Sequence, residues 1–583
     1  MKKYISAILL ASFLGVTSCD SNFEELNTDP NRAGANVFDP NLILPIAANG
    51  YGNMISGYSG AILFQSMWIQ ALASTSTGGA NYYSNADKYL ISGSTNSYIA
   101  NVWNSGYSTA SRIQQMQKLA EIKEMNNLVA VGGIFKVLTI SFISDIYGDV
   151  PYSEALKADE GITQPKYDSQ SAAYIAMLTE LETSLTALSP TGDAIKNDVI
   201  YKGDIAKWRR FGYSLMLKMA MRLSKKDAAA ARTWVQKAVA GGVFASPADD
   251  ALVPGDEGNG YSNSSANALN VPDDIYEVRW SKKMIDYLKS TNDPRLSIVA
   301  EVPNPGLSAN RSGAAGNSDP AVQIGLPNGF DLRGGQFDIS KHPNFPGGTG
   351  SGNDVAPIGA YSRPTGIYRD RNAPVFVLTY AEVQLLLAEA AARGWTTGSA
   401  ADFYRNGVQG AFTSIAKFGG RTVSAGDATA YLTANPLNTS SLDASLKMIN
   451  EQIWATTSLF ANFVESWNNW KRSGHPVLTP VNFPGNFSSG QIPRRQPFPN
   501  GETSLNADAL NTAVARMGGD DWITRTWWDG GNYISLIDLL DRGFGLPQSL
   551  CLFYICPNHN IFIHEIFSFD RVFNCFFLRR KKT

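Results

Sequence analysis

Apolar residues recur at steps of three and four through much of this chain, the period of a helix with one buried face. Residues 204–224 show it plainly: Ile205, Trp208, Phe211, Leu215, Met219 and Leu223 share a face. The same pattern predicts helices over 60–73, 107–125, 128–146, 171–188, 228–240, 379–393, 400–417 and 443–471. Thr379 and Glu382 have capping-box spacing, and Gly394 stands where a terminating glycine belongs. The run Leu128 to Ile143 is strongly apolar, but Gly132, Gly133 and Lys136 interrupt it, which predicts a buried core helix and not a membrane span. Repeated helix pairs predict a mainly all-α fold of stacked hairpins of the tetratricopeptide type, although no clean repeat consensus is present. From about 246 to 375 the pattern breaks. This stretch is rich in Gly, Pro, Asn, Ser and Asp, with one helix near 279–290; a Pro-rich extended segment follows at 480–500. Long irregular segments are usually functional surfaces or disordered.

The two ends differ from this body. Met1-Lys2-Lys3 precedes an apolar stretch from Tyr4 to Val16, then Val16-Thr17-Ser18-Cys19. That stretch reads as a secretory signal, too short to span a bilayer. Small residues before a cysteine resemble a bacterial lipobox, so residues 1–18 are expected to be a signal peptide and Cys19 the lipidation site. Residues 19–36 then form a polar tether. At the other end, 530–583 hold Cys551, Cys556 and Cys575, whereas residues 20–550 hold no cysteine. The tail reads either as a metal-binding or membrane-active segment or as one foreign to the fold; the second reading is preferred.

Composition narrows the function. With 49 Lys and Arg against 51 Asp and Glu, a net charge of -2 argues against a nucleic-acid binder. Only 17% of residues are charged, and 12 Trp and 24 Tyr suit neutral ligands such as sugars. No G-x-S-x-G, H-E-x-x-H or Walker loop is present, so no enzyme motif stands out. Asn81, Tyr82 and Tyr83 lie in a Ser/Thr/Gly-rich stretch after the helix expected at 60–73, and are candidate ligand contacts in an exposed loop. Tyr261 and Tyr276, in the irregular region, are weaker candidates. Trp208, Trp467 and Trp470 lie at helical spacing and are read as packing; Trp280 is read as either packing or ligand contact. Asp249, Asp250, Asp256 and Glu257 have the oxygen ligands for a structural Ca²⁺, but a solvated acidic loop is preferred, and no cofactor is expected.

Several segments together resemble the SusD/RagB family. They are the lipobox, Tyr147-Gly148-Asp149-Val150-Pro151, Trp208-Arg209-Arg210-Phe211-Gly212, Asn292-Asp293-Pro294-Arg295-Leu296, Leu378-Thr379-Tyr380-Ala381-Glu382, Glu465-Ser466-Trp467-Asn468-Asn469-Trp470-Lys471-Arg472, Ile492-Pro493-Arg494-Arg495 and Thr526-Trp527-Trp528-Asp529. The resemblance runs in the family's order over about residues 19–529. It implies a SusD-like domain at 37–529, with tetratricopeptide-like hairpins carrying an irregular ligand-facing region. It further implies a non-catalytic lipoprotein, anchored to the outer membrane and exposed on the cell surface. Such a protein binds glycans, or peptides in some members, and passes them to a SusC-like TonB-dependent outer-membrane transporter. A lipid-anchored glycoside hydrolase and a helical scaffold without a small ligand are the competing readings.

Overall fold

A computed structural model gives the structure of the protein and describes residues 37–75, 82–347 and 358–531. Thirteen helices of nine or more residues occur among the described residues. They are α1 (Ile43–Ser56), α2 (Thr95–Ile122), α3 (Asn126–Tyr147), α4 (Gln170–Ala187), α5 (Ile205–Arg222), α6 (Ala228–Gly241) and α7 (Lys282–Ser290). The second half adds α8 (Tyr380–Ala392), α9 (Ala400–Ser414), α10 (Ala425–Ala434), α11 (Leu442–Leu459), α12 (Phe463–Ser473) and α13 (Ala507–Met517). Neighbours in sequence pack side by side, α2 on α3, α3 on α4, α5 on α6, α8 on α9 and α11 on α12, which is the expected stack of hairpins.

Local chemistry sets the ends of these helices. Asp204, Asp227, Thr379 and Ser399 each accept a hydrogen bond from a backbone N–H of the first turn. The Glu382 side chain does not close a capping box; it turns inward to Lys218 instead. The apolar helix α3 is buried along most of its length. Its two interrupting glycines allow close packing. A Cβ at Gly132 would collide with Gln117 Cγ on α2, and one at Gly133 would collide with Ser184 Oγ on α4. Lys136 is accommodated by an ion pair to Glu180 on α4 (2.6 Å).

Two expectations need correction. The stretch 443–471 is not one helix. Ala461 takes a left-handed backbone (φ +57°), and Asn462 caps a new helix by accepting from Glu465 N (3.3 Å), so the chain breaks into α11 and α12. Nor does 60–73 form one helix. A π turn at Tyr58–Ile62 and a single turn at Gln65–Trp68 precede Gln70, whose φ of +52° ends the run. Phe64 and Trp68 are buried in an aromatic cluster with Trp467 and Trp522, so tertiary packing overrides the local period.

The motifs that carry the resemblance meet inside the core. Arg222 on α5 bonds Asp145 on α3 (Nε–Oδ2, 3.2 Å) and both oxygens of Glu465 on α12 (2.6 Å each). Lys218 reaches Glu465 (2.6 Å) and Glu382 (3.3 Å). Trp528 Nε1 donates to Asp145 (3.0 Å), and Lys471 Nζ lies 3.5 Å from the centre of the Trp467 ring. Glu389 on α8 takes Arg472 on α12 (2.7 Å) and Arg393 (2.8 Å). Burial alone would push the Glu389 carboxyl up, but these guanidinium groups bring it down to about 2. Its ion pairing therefore contributes fully above the ordinary carboxylate range and is lost as pH falls towards about 2. Arg295 and Asp293 form another fully buried pair (2.6 Å). Trp208, Trp467, Trp470 and Trp280 are all core residues.

Candidate ligand-binding surface

Short strands organise the irregular region. β1 (Leu72–Ala73) pairs with β3 (Arg279–Trp280), β2 (Ala251–Val253) with β6 (Val375–Leu378), and β4 (Ala300–Glu301) with β5 (Arg363–Pro364), all antiparallel. At the β1 end lies a second, small apolar cluster, separate from the main core. Ala73, Leu326, Ile339, Ile358 and Tyr361 are its buried centre, and Tyr276, Phe330, Leu332 and Phe345 pack half-buried against it. Half-buried aromatic side chains outside the main core are what sugar capture needs, because a ring face packs against pyranose C–H groups.

Tyr276 sits on the short helix Pro272–Glu277, which is held in place by side chains of neighbouring segments. Tyr83 donates to Asp274 Oδ2 (2.9 Å), Arg279 Nη1 donates to Ile275 O (2.8 Å), and Arg311 pairs with Asp273. Burial pushes the Asp274 carboxyl up to about 6, and the Tyr83 hydrogen bond offsets part of that rise. Removing the donor with Tyr83→Phe should destabilise the protein by about 1.5–3 kcal/mol, the range for hydrogen bonds to charged groups. The loss should be larger at pH 7 than at pH 5, where Asp274 is protonated and its hydrogen bond weaker. Denaturant midpoints at the two pH values check this.

The sequence-derived candidates are therefore sorted. Tyr276 joins the apolar cluster. Tyr83 is corrected: it is 1% exposed, packs edge-on against Tyr58 (5.6 Å between ring centres) and supports the Tyr276 helix from within, instead of lying in an exposed loop. The reason is that residues 82–87 form a short helix packed into the core. Asn81 lies outside the described residues, as does the Tyr82 side chain. Tyr261 is 42% exposed at the end of a tight turn that exchanges two backbone bonds with Asp256 (2.8 Å each), and it is not part of the cluster. The four acidic residues go to separate partners. Asp249 takes Arg210 (3.0 Å), Asp250 takes Lys417 (2.7 Å), Asp256 caps a turn and Glu257 takes Arg371 (2.8 Å). Among the described residues no group of three or more His, Cys, Asp or Glu side chains is placed to hold a metal ion.

Sequence reasoning misses Phe330, Phe345 and Tyr361. The signal for the two phenylalanines is an aromatic residue beside Gly, Asn or Pro, as in Gly329-Phe330 and Asn344-Phe345-Pro346; Tyr361, between Ala360 and Ser362, carries no such signal. Two further features frame the surface. Asp87, at the end of the short helix Tyr82–Asp87, is buried and accepts from Gly329 N (2.6 Å) and from Asn328, tying that helix to the irregular segment. Burial pushes its carboxyl up to about 6 and the neighbouring Lys88 ammonium down to about 8. An open cleft of about 490 Å³ lies between α7 and the turn at His342, with Lys282, Lys289, Ile324, His342 and Tyr361 among its walls. Its size falls in the range of small-ligand sites.

A family model described as SusD-like, starch-binding and associating with the outer membrane, matches residues 41–499. The chain belongs to this family. Among solved structures, a chitin-binding protein is 29% identical, with a TM-score of 0.70 over 84% of this chain and 100% of that one. A SusD homologue from Bacteroides thetaiotaomicron is 25% identical, with a TM-score of 0.63 over 84% of this chain and 99% of its own. A Bacteroidetes SusD-like protein, 24% identical, shares the fold at a TM-score of 0.73 over 84% of this chain and 100% of its own. No curated protein sequence matches the chain significantly. SusD-like proteins are binding proteins, and this chain is a binding protein and not an enzyme. The hydrolase reading is thereby set aside.

Proposed function

We propose that this SusD-like protein captures glycans at the cell surface and delivers them to a TonB-dependent transporter in the outer membrane. The observation that carries the reading is the half-buried aromatic cluster of Tyr276, Phe330 and Phe345, on a fold shared with a chitin-binding protein. Tyr276 supplies a ring on a helix that is already fixed, so little conformational freedom is lost when a sugar docks. In this reading Cys19, which lies outside the described residues, supplies the membrane anchor; its support is the lipobox. Cys19→Ala should move the protein from the membrane fraction to the soluble fraction, and equal fractionation of both forms would remove the anchor.

Ligand capture is tested by screening soluble glycans against the purified protein, followed by calorimetry. Tyr276→Ala should weaken the best glycan by roughly threefold to tenfold. The lost aromatic contact is worth about 0.5–1.5 kcal/mol beyond its buried area, and about 1.4 kcal/mol is one decade. Tyr261→Ala should change affinity far less. A screen in which peptides bind and no glycan does would replace the glycan reading with peptide capture. Co-purification of a TonB-dependent transporter with the anchored protein tests the delivery step.

A further inference from the structure

The cleft beside α7 holds an uneven balance of groups. Its walls carry two ammonium groups, Lys282 and Lys289, and one carboxylate, Asp286. Asp286 is already paired with Lys282 one turn away. Lys289 Nζ contacts backbone carbonyl oxygens, Gln323 O at 3.0 Å and Ala321 O at 3.4 Å, and forms no ion pair among the described residues. One positive charge in the cleft is therefore left without a counter-charge.

The neutral groups add donors. His342 Nδ1 accepts the Asn344 N–H (3.2 Å), so in the neutral ring the proton sits on Nε2 and is available as a donor. Burial, then the nearby Lys282 charge, holds the His342 pKa below its ordinary value and favours the neutral ring. Tyr361 is buried, and its hydroxyl has no hydrogen-bond partner among the described residues. A buried hydroxyl without a partner costs stability until something satisfies it. The floor is firm: Gln323 spends its amide on Asn317 O and Asp319 O (2.9 Å each) and on the Ser362 hydroxyl (2.8 Å). The cleft also adjoins the aromatic surface, because Tyr361 belongs to both.

We infer that this cleft takes an acidic sugar unit, a uronate whose carboxylate meets Lys289 and the donors around it, in a glycan whose neighbouring rings lie on the aromatic cluster. The inference rests on the glycan reading above and narrows it. A sugar hydroxyl both donates and accepts, whereas a carboxylate only accepts, and this cleft supplies an excess of donors and one unpaired cation.

The test uses the full chain and four probes: trigalacturonate, its methyl ester, maltotriose and triglutamate. Trigalacturonate should bind about tenfold tighter than its methyl ester and than maltotriose, and the advantage should shrink as salt rises and screens the charge. Lys289→Gln, which keeps an amide donor for the Gln323 carbonyl, should remove most of that advantage. Asp286→Asn should increase it. Tyr361→Phe deletes a hydroxyl that bonds to no described residue, so thermal stability should hold or rise while trigalacturonate binding falls severalfold. Equal affinity for the acid and its ester, or an acid preference that survives Lys289→Gln and ignores Asp286→Asn, would overturn the inference and leave glycan capture standing. Triglutamate binding as tightly as trigalacturonate would overturn the sugar assignment. A protein that binds no glycan of any charge would bring down both this inference and the function on which it rests.

Discussion

Arg222→Met should destabilise the protein by about 3–5 kcal/mol, the loss expected when one partner of a buried ion pair is removed. Arg222 is 2% exposed and stands between Asp145 and Glu465, both also buried. Methionine fills much of the same space, so the loss comes from two carboxylates left in the core with one cation fewer. Lys218 still faces Glu465, but among the described residues the Asp145 carboxylate keeps hydrogen bonds from the Tyr174 hydroxyl, the Trp528 indole and the Asn468 amide, with the Lys471 ammonium on its backbone carbonyl. Charge is finely balanced here. Burial pushes the Glu382 carboxyl up against the pull of Lys218, whereas at Glu465 burial is outweighed by Arg222 and Lys218, which hold that carboxyl down. Without Arg222 the remaining carboxylates bind protons more readily in the folded state than in the unfolded one, so stability rises as pH falls towards their new values. The variant should therefore recover more stability between pH 7 and pH 5.5 than the parent does. Urea midpoints at the two pH values measure both effects. Lys118→Met, which breaks the exposed pair with Asp159, is the control and should leave the midpoint where it was. A midpoint as little changed in Arg222→Met as in this control would show that the buried cluster does not determine stability.

The same cluster explains which parts of the protein are legible in its sequence. The segments that carry the family resemblance supply Glu465, which pairs with Arg222, the buried pair Asp293–Arg295, the Arg472 that neutralises Glu389, and Trp528. Each is a core group whose position is fixed by several others, so the residue types in these segments identify the fold. Helical period serves equally well where one face is buried, as along α6, whose buried residues are Ala231, Trp234, Val235 and Ala238. It fails where burial has no single face: Phe460, Phe463 and Val464 continue an apolar run straight through the break at Ala461, and Phe64 and Trp68 imitate a helix they do not complete. The ligand surface is hardest to read, for a different reason. Ala73, Tyr276, Phe330, Phe345 and Tyr361 are brought together from separate stretches of chain, none with a regular period. Adjacent tyrosines at 82 and 83 look like an exposed pair because neighbouring small residues hide the short helix that they begin. The carboxylate that receives the Tyr83 hydroxyl, Asp274, lies far along the chain, where no local pattern points to it.

Stopping the chain after Gly531 and stopping it after Thr526 should give opposite outcomes. The last described residues close the core. Trp528 and Asp529 are both fully buried. Trp528 donates its indole N–H to Asp145 (3.0 Å) and its backbone N–H to Gln170 Oε1 (3.2 Å). Asp529 binds Arg494 (Nε–Oδ2, 2.7 Å), Lys225 (2.9 Å) and Arg525 (3.3 Å), and Arg494 in turn stacks on Trp470. The Gly531 N–H donates to Thr526 O and its carbonyl accepts from Lys226 (2.9 Å each), so the turn ends beyond the boundary expected at 529. A chain ending at Thr526 loses a buried tryptophan and a buried carboxylate together, each worth about 3–5 kcal/mol. Those losses rival the whole stability of an ordinary domain, about 5–15 kcal/mol, so this chain should be insoluble or unfolded. A chain ending at Gly531 keeps every one of these contacts and should melt within a few degrees of the full-length protein, with its glycan affinity unchanged. Soluble yield and circular-dichroism melts of the two truncations decide between them. If the longer truncation also failed to fold, residues 532–583 would be part of the folding unit, and the tail could no longer be read as foreign to it. If the shorter one folded normally, the Trp528–Asp529 closure would be dispensable, and the resemblance at that motif would carry no structural weight.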